Sequence, residues 1–347
     1  MQKYNDEPKT ALNGLRNNQT LLRIRIFFNF ASLIPPRRNG MKKILKVHSV
    51  NDYARYIGAP VLHPHISVIH YDELEHCRHS LNSYDVYGIF IADQRMEALS
   101  YGQLRYDMPQ HTLMCVSPGQ IGGKTDTGEE IQAEGWALLF SPDLLNGREL
   151  GRRMSGYTYF SYNVSETLAL DDRQRDTLVR LLEEMRTELL RPEQDRHTVN
   201  IVVARLALVL EYIARFYSMQ MQVSFGQHPD LLRRLETLLE HYYREGKQHE
   251  KGLPTVRYCA QELFLSPNYF GDLVKELTGD SATVFLRRFL MARANEMLAG
   301  GHTVGEVSDA LGFSYPQHFS RVYKRHFGVA PSQADSRFSA SSRPDNS

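Results

Sequence analysis
The chain has 347 residues, 42% hydrophobic and 23% charged, the profile of a soluble globular protein long enough for two hydrophobic cores. Its 41 basic and 40 acidic residues leave a net charge of +1, which excludes a bulk polycation, so any contact with nucleic acid has to rest on local placement. Cys77, Cys115 and Cys259 are scattered with no CxxC spacing, which fits reduced thiols in a cytoplasm and argues against a zinc site.

The first apolar run, Leu21 to Ile34, is interrupted by Arg23, Arg25 and Asn29. It is too short for a membrane helix, and its internal basic residues argue against a signal peptide. Residues 1–40 show no clean periodicity, whereas "MKKILKVHSV" from Met41 reads as an ordinary N-terminus. Residues 1–40 are therefore expected to be a poorly structured extension, with the physiological start at Met41. Over residues 41–165 the runs "HISVIHYDEL", "YDVYGIFIAD", "EALSYGQLRY" and "HTLMCVSPGQ" are short, β-branched or aromatic, and punctuated by turn residues. That pattern predicts a β-barrel or sandwich.

At about Asp171 the period changes. Leu178, Leu181, Leu182, Met185 and Leu189 follow helical spacing, and Pro192 ends that helix. A second helix, Ile201 to Tyr217, is apolar around much of its circumference and must be buried, either by the β region or in a homodimer seam. Residues 166–218 thus read as a helical dimerisation segment and residues 219–228 as a linker. From Pro229 to residue 338 the chain reads as helices with short breaks, and residues 339–347 as a disordered tail.

The helical part repeats itself. Thr255–Gly279 and Thr303–Gly328 align Thr255 with Thr303, Leu263 with Leu311, Ser266 with Ser314, Phe270 with Phe319, Lys275 with Lys324 and Gly279 with Gly328. Each copy is a short helix, a tight turn and a second helix. Gly312 can end a helix in the left-handed conformation, while Phe264 stands at the matching position of the first copy. Ser314 is expected to cap the next helix with Gln317 completing a capping box, and Ser266 to cap ahead of Pro267 at the first helical position. In the last helix Phe319, Val322, Tyr323 and Phe327 form an apolar stripe, and Gln317, His318, Ser320, Arg321, Lys324 and Arg325 lie off it. A charged face alone signals solvation. Two copies in register, with no acidic residue between Phe313 and Gly328, point instead to the DNA major groove. There Arg pairs with guanine, Gln with adenine, and Lys or Arg with phosphates. The intervening "ATVFLRRFLMARANEMLAG" would be a rigid spacer with Phe285, Phe289, Ala292 and Met297 in the core. It would set two recognition helices into successive groove segments roughly 34 Å apart.

"LGFSYPQHFSRVYKRHFGVAPSQ" and the preceding "LSPNYFGDLVKELTG" resemble the AraC/XylS transcriptional regulators, with the resemblance covering Pro229–Phe338. "GWALLFSPDLL" and "YTYFSYNVSETLAL" are similar to the cupin-type sensory domain of that family. The resemblance implies an α+β two-domain protein. Its N-terminal part would be a cupin-like β-barrel with dimerisation helices, and its C-terminal part an all-α domain with two helix-turn-helix units joined by a linker helix. It also implies base-facing positions Asn268, Gly271 and Asp272 in the first recognition helix and Gln317, His318 and Arg321 in the second. Lys275, Lys324 and Arg325 are then backbone contacts. Asp272 repels phosphate and Gly271 has no side chain, so more direct readout is expected of the second helix. The partners implied are an operator duplex, RNA polymerase, a second copy of the chain and an effector of unknown identity. Activation, a cytoplasmic setting and no membrane contact go with this reading.

His63 and His65 resemble the first ligand pair of enzymatic cupins, with His111 a third by loose spacing, which keeps a metal-dependent cupin enzyme with a helical appendage as the alternative. Surface or satisfied core histidines are the simpler account, and Trp136 reads as core. "GQIGG" lacks the strand-loop-helix context of a phosphate cradle, and no nucleophile elbow, P-loop or dinucleotide fingerprint occurs. No catalytic residue, metal site or cofactor is expected, and a barrel that serves only for dimerisation remains open.

Overall fold
β-Branched and aromatic runs between turn residues form twelve short strands among the described residues. They are β1 (Ile44–Val47), β2 (Ile66–His70), β3 (Cys77–Arg78), β4 (Leu81–Tyr84), β5 (Tyr87–Ala92), β6 (Met96–Tyr101), β7 (Leu104–Met108), β8 (Thr112–Val116), β9 (Ile121–Gly123), β10 (Glu130–Ile131), β11 (Gly135–Phe140) and β12 (Leu168–Ala169). The computed structural model describes residues 44–333, apart from residue 76 and residues 102–103, 193–194 and 228–229. The expected extension over residues 1–40, the start at Met41 and the tail over residues 339–347 lie outside the described residues.

Two five-stranded sheets are built, in the orders β1-β4-β9-β6-β7 and β12-β8-β5-β11-β2, beside a two-stranded β10-β3 ladder. The ladders are antiparallel except β1 with β4. All six residues of β11 are buried, and the strand alternation explains why the run is continuously apolar. Trp136, Leu138 and Phe140 face one core together with the following helices, while Ala137 and Leu139 face a second core between the sheets. Of the β-barrel or sandwich expected, the sheet-rich region is present but the barrel is not closed. The two large sheets share no hydrogen-bonded strand pair among the described residues, and the short β3 and β10 pair with each other instead of bridging them.

The helices are α1 (Val50–Tyr56), α2 (Glu149–Arg153), α3 (Asp172–Leu189), α4 (Arg196–Gln227), α5 (Asp230–Arg244), α6 (Lys247–Lys251), α7 (Val256–Glu262), α8 (Pro267–Thr278), α9 (Ala282–Ala299), α10 (Val304–Ala310) and α11 (Pro316–Phe327). α3 starts at a capping box, with Asp171 accepting from the Gln174 amide at 2.8 Å, and buries Leu178, Leu181, Leu182, Met185 and Leu189. These pack with Val202, Leu206, Val209, Leu210, Ile213 and Phe216 of α4 against the β11 face, so much of the apolar circumference of α4 is covered within the chain. The Arg175 guanidinium donates to both oxygens of Asp93, at 2.6 and 2.5 Å, and ties α3 to the residue that follows β5.

Two expectations change. α4 continues to Gln227 through the stretch read as a linker. Apolar spacing fades there, yet no proline interrupts the helix before Pro229. In α9 the buried face is Leu286, Leu290, Met291, Ala294 and Leu298, while Ala292 is exposed and Phe285, Phe289 and Met297 are half-buried. Apolar residues lie on several sides of this helix, so spacing alone could not choose its inner face. All three cysteines are free and buried. Burial pushes the Cys259 thiol up to about 12 and the Cys115 thiol well above its usual range, which removes the thiolate needed for reactivity. Among the described residues no helix is long and apolar enough to cross a membrane.

Candidate nucleic-acid interface
Each repeat closes its own core, and α5 and α9 supply residues to both. Leu235 and Leu239 of α5 and Ala282 and Leu286 of α9 pack with Cys259, Ala260, Leu263, Phe270 and Val274. One turn further along each helix, Tyr242, Tyr243, Leu290, Met291 and Ala294 pack with Val307, Leu311, Phe313, Phe319 and Tyr323. The contribution of α5 was not legible as a repeat element, because it stands outside both copies. Buried hydroxyls fix the second core: Tyr243 Oη donates to the Leu311 carbonyl at 3.3 Å and Tyr323 Oη to Asn295 Oδ1 at 2.8 Å.

The turns follow local chemistry. Gly312 has φ +83°, and a Cβ there would stand 2.9 Å from Gln248 Cβ and 3.0 Å from the Gly252 carbonyl, so conformation and space both require glycine. Phe264 takes the matching left-handed conformation, at φ +61°, with its side chain 68% exposed. Phe264→Gly is expected to stabilise the protein by about 1 kcal/mol, read as a rise in its denaturation midpoint. An unchanged or lowered midpoint would contradict the strain account.

In the first unit Ser266 caps α8, its Oγ accepting from the Tyr269 amide at 3.2 Å, with Pro267 in the first turn. In the second unit the expected cap is corrected. Tyr315, not Ser314, is the N-cap of α11 and makes no side-chain cap bond. Pro316 suits the first helical position, and the extra residue of this copy moves Ser314 one place too far out. Both second helices end at glycines, Gly279 at φ +74° and Gly328 at φ +78°, whose amides donate to the carbonyls of Lys275 and Lys324.

Phe319 and Tyr323 are buried, with Val322 and Phe327 half-buried beside them. Gln317, His318, Arg321, Lys324 and Arg325 are exposed on the other side of α11. Arg321, Lys324 and Arg325 form no ion pair among the described residues. The structure therefore brings all five second-helix candidates onto one outward surface. The first helix differs. Asn268 and Lys275 are exposed, Gly271 is half-buried, and Asp272 is engaged from elsewhere in the chain. Its Oδ2 accepts from Thr158 Oγ1 at 2.5 Å and from Tyr162 Oη at 2.7 Å. Burial foremost, and then the bond to Asp272, push the Tyr162 phenol well up, so it stays a donor. Glu166, 5% exposed, accepts from the Ser266 amide at 2.6 Å and from Ser266 Oγ at 2.5 Å. Burial raises the Glu166 carboxyl above its usual range, opposed by the bonds from Ser266 and Asn163. Thr158, Tyr162 and Glu166 were missed by sequence reasoning. Their hydroxyl-rich stretch carries no mark of which distant helix it touches.

His63 and His65 lie ahead of β2 with ring centroids 5.9 Å apart, and His65 Nδ1 is 3.1 Å from Ser141 Oγ. His111 lies 3.7 Å from Asp172. Among the described residues no group of three or more His, Cys, Asp or Glu is placed to hold a metal ion. Trp136 is core, stacked on His70 at 4.2 Å.

Residues 259–337 match the family model described as a helix-turn-helix domain. The C-terminal region is an AraC-type helix-turn-helix domain. This domain is similar to the uncharacterised transcriptional regulatory protein YesN of Bacillus subtilis (strain 168), with 29% identity over 83 residues. That match spans 23% of this chain and only 23% of YesN. The regulatory protein PocR of Salmonella typhimurium (strain LT2) is 25% identical over 265 residues, covering 70% of this chain and 84% of PocR. Among solved structures, the C-terminal domain of AraT, a response regulator from Geobacillus stearothermophilus, is 23% identical. It covers 31% of this chain and 84% of its own, with a TM-score of 0.27.

Proposed function
We propose that the protein is a sequence-specific transcription regulator in which the helix-turn-helix domain reads an operator and the sheet-rich half senses an effector or partner. The observation that carries this is the outward face of α11: Gln317, His318, Arg321, Lys324 and Arg325 together, exposed, on a helix held from behind by Phe319 and Tyr323. Gln317, His318 and Arg321 read base edges, and Lys324 and Arg325 hold phosphates. Asn268, Gly271, Asp272 and Lys275 occupy the corresponding face of α8. The spacer α9 has 18 residues, about 27 Å of helix, which supports two readers on one face of a duplex.

Residues 41–165 form the cupin-like sensory part, residues 166–218 carry a homodimer contact, and residues 229–338 bind DNA. The sensory reading is supported by a cavity of about 100 Å³ between the two sheets, lined by Tyr53, Tyr71, Asn82, Tyr84, Met108 and Met114 among others. Asn82 is 2% exposed, and its Oδ1 has no hydrogen-bond partner. RNA polymerase, a cytoplasmic setting and activation belong to the same reading.

The test is selection of duplexes from a random pool by the full-length protein, followed by binding against random competitor at several salt concentrations. Enrichment of a common sequence, bound with a steep salt dependence, is expected. Equal affinity for selected and random duplexes would overturn the reading.

A further inference from the structure
α8 and α11 are equivalent by sequence repeat and unequal by surroundings. The face of α8 defined by Asn268, Gly271, Asp272 and Lys275 follows the i, i+3, i+4, i+7 spacing of one helix side. Asp272 sits within that face and is held by Thr158 and Tyr162. At the N-terminal end of the same helix, Glu166 holds both the amide and the hydroxyl of Ser266. The Tyr162 ring stands edge-on to Tyr269 of α8 at 5.1 Å. Leu273 belongs to the same core cluster as α3 and α4, and Tyr269 and Leu277 pack on it. Gln222 of α4 also donates to Glu276. By contrast, Gln317, Arg321, Lys324 and Arg325 of α11 make no side-chain hydrogen bond or ion pair among the described residues.

We infer that residues 158–166 are an intramolecular latch that holds α8 through Asp272 and Ser266 while Asn268 and Lys275 stay exposed, so that a duplex has to displace it to seat on the first helix-turn-helix unit. This rests on the reading of the C-terminal domain as a DNA reader, and specifies how its first half is regulated. A duplex cannot reach Asp272 while the Thr158 and Tyr162 hydroxyls are bonded to it. Glu166 places negative charge at the end of α8 where the helix dipole would otherwise favour a phosphate, and repels one that approaches. Latch and duplex therefore compete for one helix. Apparent DNA affinity is lowered by the fraction of molecules in which the latch is closed. Asp272, which suits base reading poorly, has a role as the acceptor of the latch.

The test uses full-length protein and a duplex selected by the wild type. Thr158 and Tyr162 belong to the latch side, so changing them alters no proposed DNA contact. Tyr162→Phe keeps the ring packing and Thr158→Val keeps the shape. The double variant is expected to bind the selected duplex about tenfold tighter or more, because two hydrogen bonds to a charged acceptor are lost. Amides of α8 in the DNA-free double variant are expected to exchange with deuterium faster than in the wild type. Thr158→Ser, which keeps the hydroxyl, should behave as the wild type in both measurements. Unchanged or weaker affinity in the double variant overturns the latch, whether or not exchange changes. If the wild type prefers no duplex over random competitor, the DNA-reading function itself fails and the masking falls with it. Wild-type preference for the selected duplex over random competitor, measured first, tells these two failures apart.

Discussion

Replacing Phe319 by alanine is expected to destabilise the second helix-turn-helix unit by about 3–5 kcal/mol and to abolish sequence-specific binding. Phe319 is fully buried, with Phe313 and Tyr323 ring centroids at 5.4 and 5.7 Å. Its ring fills the space between α11 and the core built from α5, α9 and α10. Removing it opens a void that rigid neighbours fill only in part. Tyr323, whose hydroxyl is anchored on Asn295, loses the surface it packs on. The first unit keeps its own residues, because Phe319 is not part of that core. Denaturant unfolding should therefore show an early transition confined to part of the protein. Phe319→Leu, closer in volume, is expected to cost less than the alanine change. A single unshifted transition for Phe319→Ala would mean that the second core is not built as described.

Arg321→Ala is expected to weaken binding to the selected operator by about 1–3 kcal/mol, roughly a 5- to 150-fold change, and to relax discrimination at one base pair. Arg321 is exposed, one helical turn beyond Gln317 on the outward side of α11, and its guanidinium has the planar fork that suits guanine O6 and N7. Lys324→Ala should act differently. It is expected to weaken selected and random duplexes alike and to reduce the salt slope by about one ion. Comparing the two variants over a panel of single-base operator substitutions separates a base contact from a phosphate contact. If Arg321→Ala weakened all duplexes equally, Arg321 would be a backbone contact and base reading would have to lie elsewhere on α11.

The contrast between these two helices shows how far each kind of information reaches. The amphipathic stripe of α11, the left-handed turn at Gly312 and the Ser266 cap were all legible in the chain. Each depends on residues within one or two helical turns, where backbone preference and spacing act directly. Ser314 was misplaced as a cap because one inserted residue and Pro316 shifted the helix start, a competition between two local signals. The inner face of α9 and the extent of α4 were less legible, since apolar residues lie on several sides of α9 and apolar spacing fades along the end of α4.

The amino-acid sequence by itself determined the duplicated helical unit, the β-rich half before it, and the basic outward edge of the last recognition helix. Only the tertiary structure decided that the sheets stay unclosed, that α5 and α9 supply both helix-turn-helix cores, and that α8 is held by Thr158, Tyr162 and Glu166. The bonds from Tyr162 and Thr158 to Asp272 join residues 110 and 114 positions apart. Local propensity has no term for a pairing at that separation. It arises when two surfaces far apart in the chain meet, and their shapes and charges select the contact.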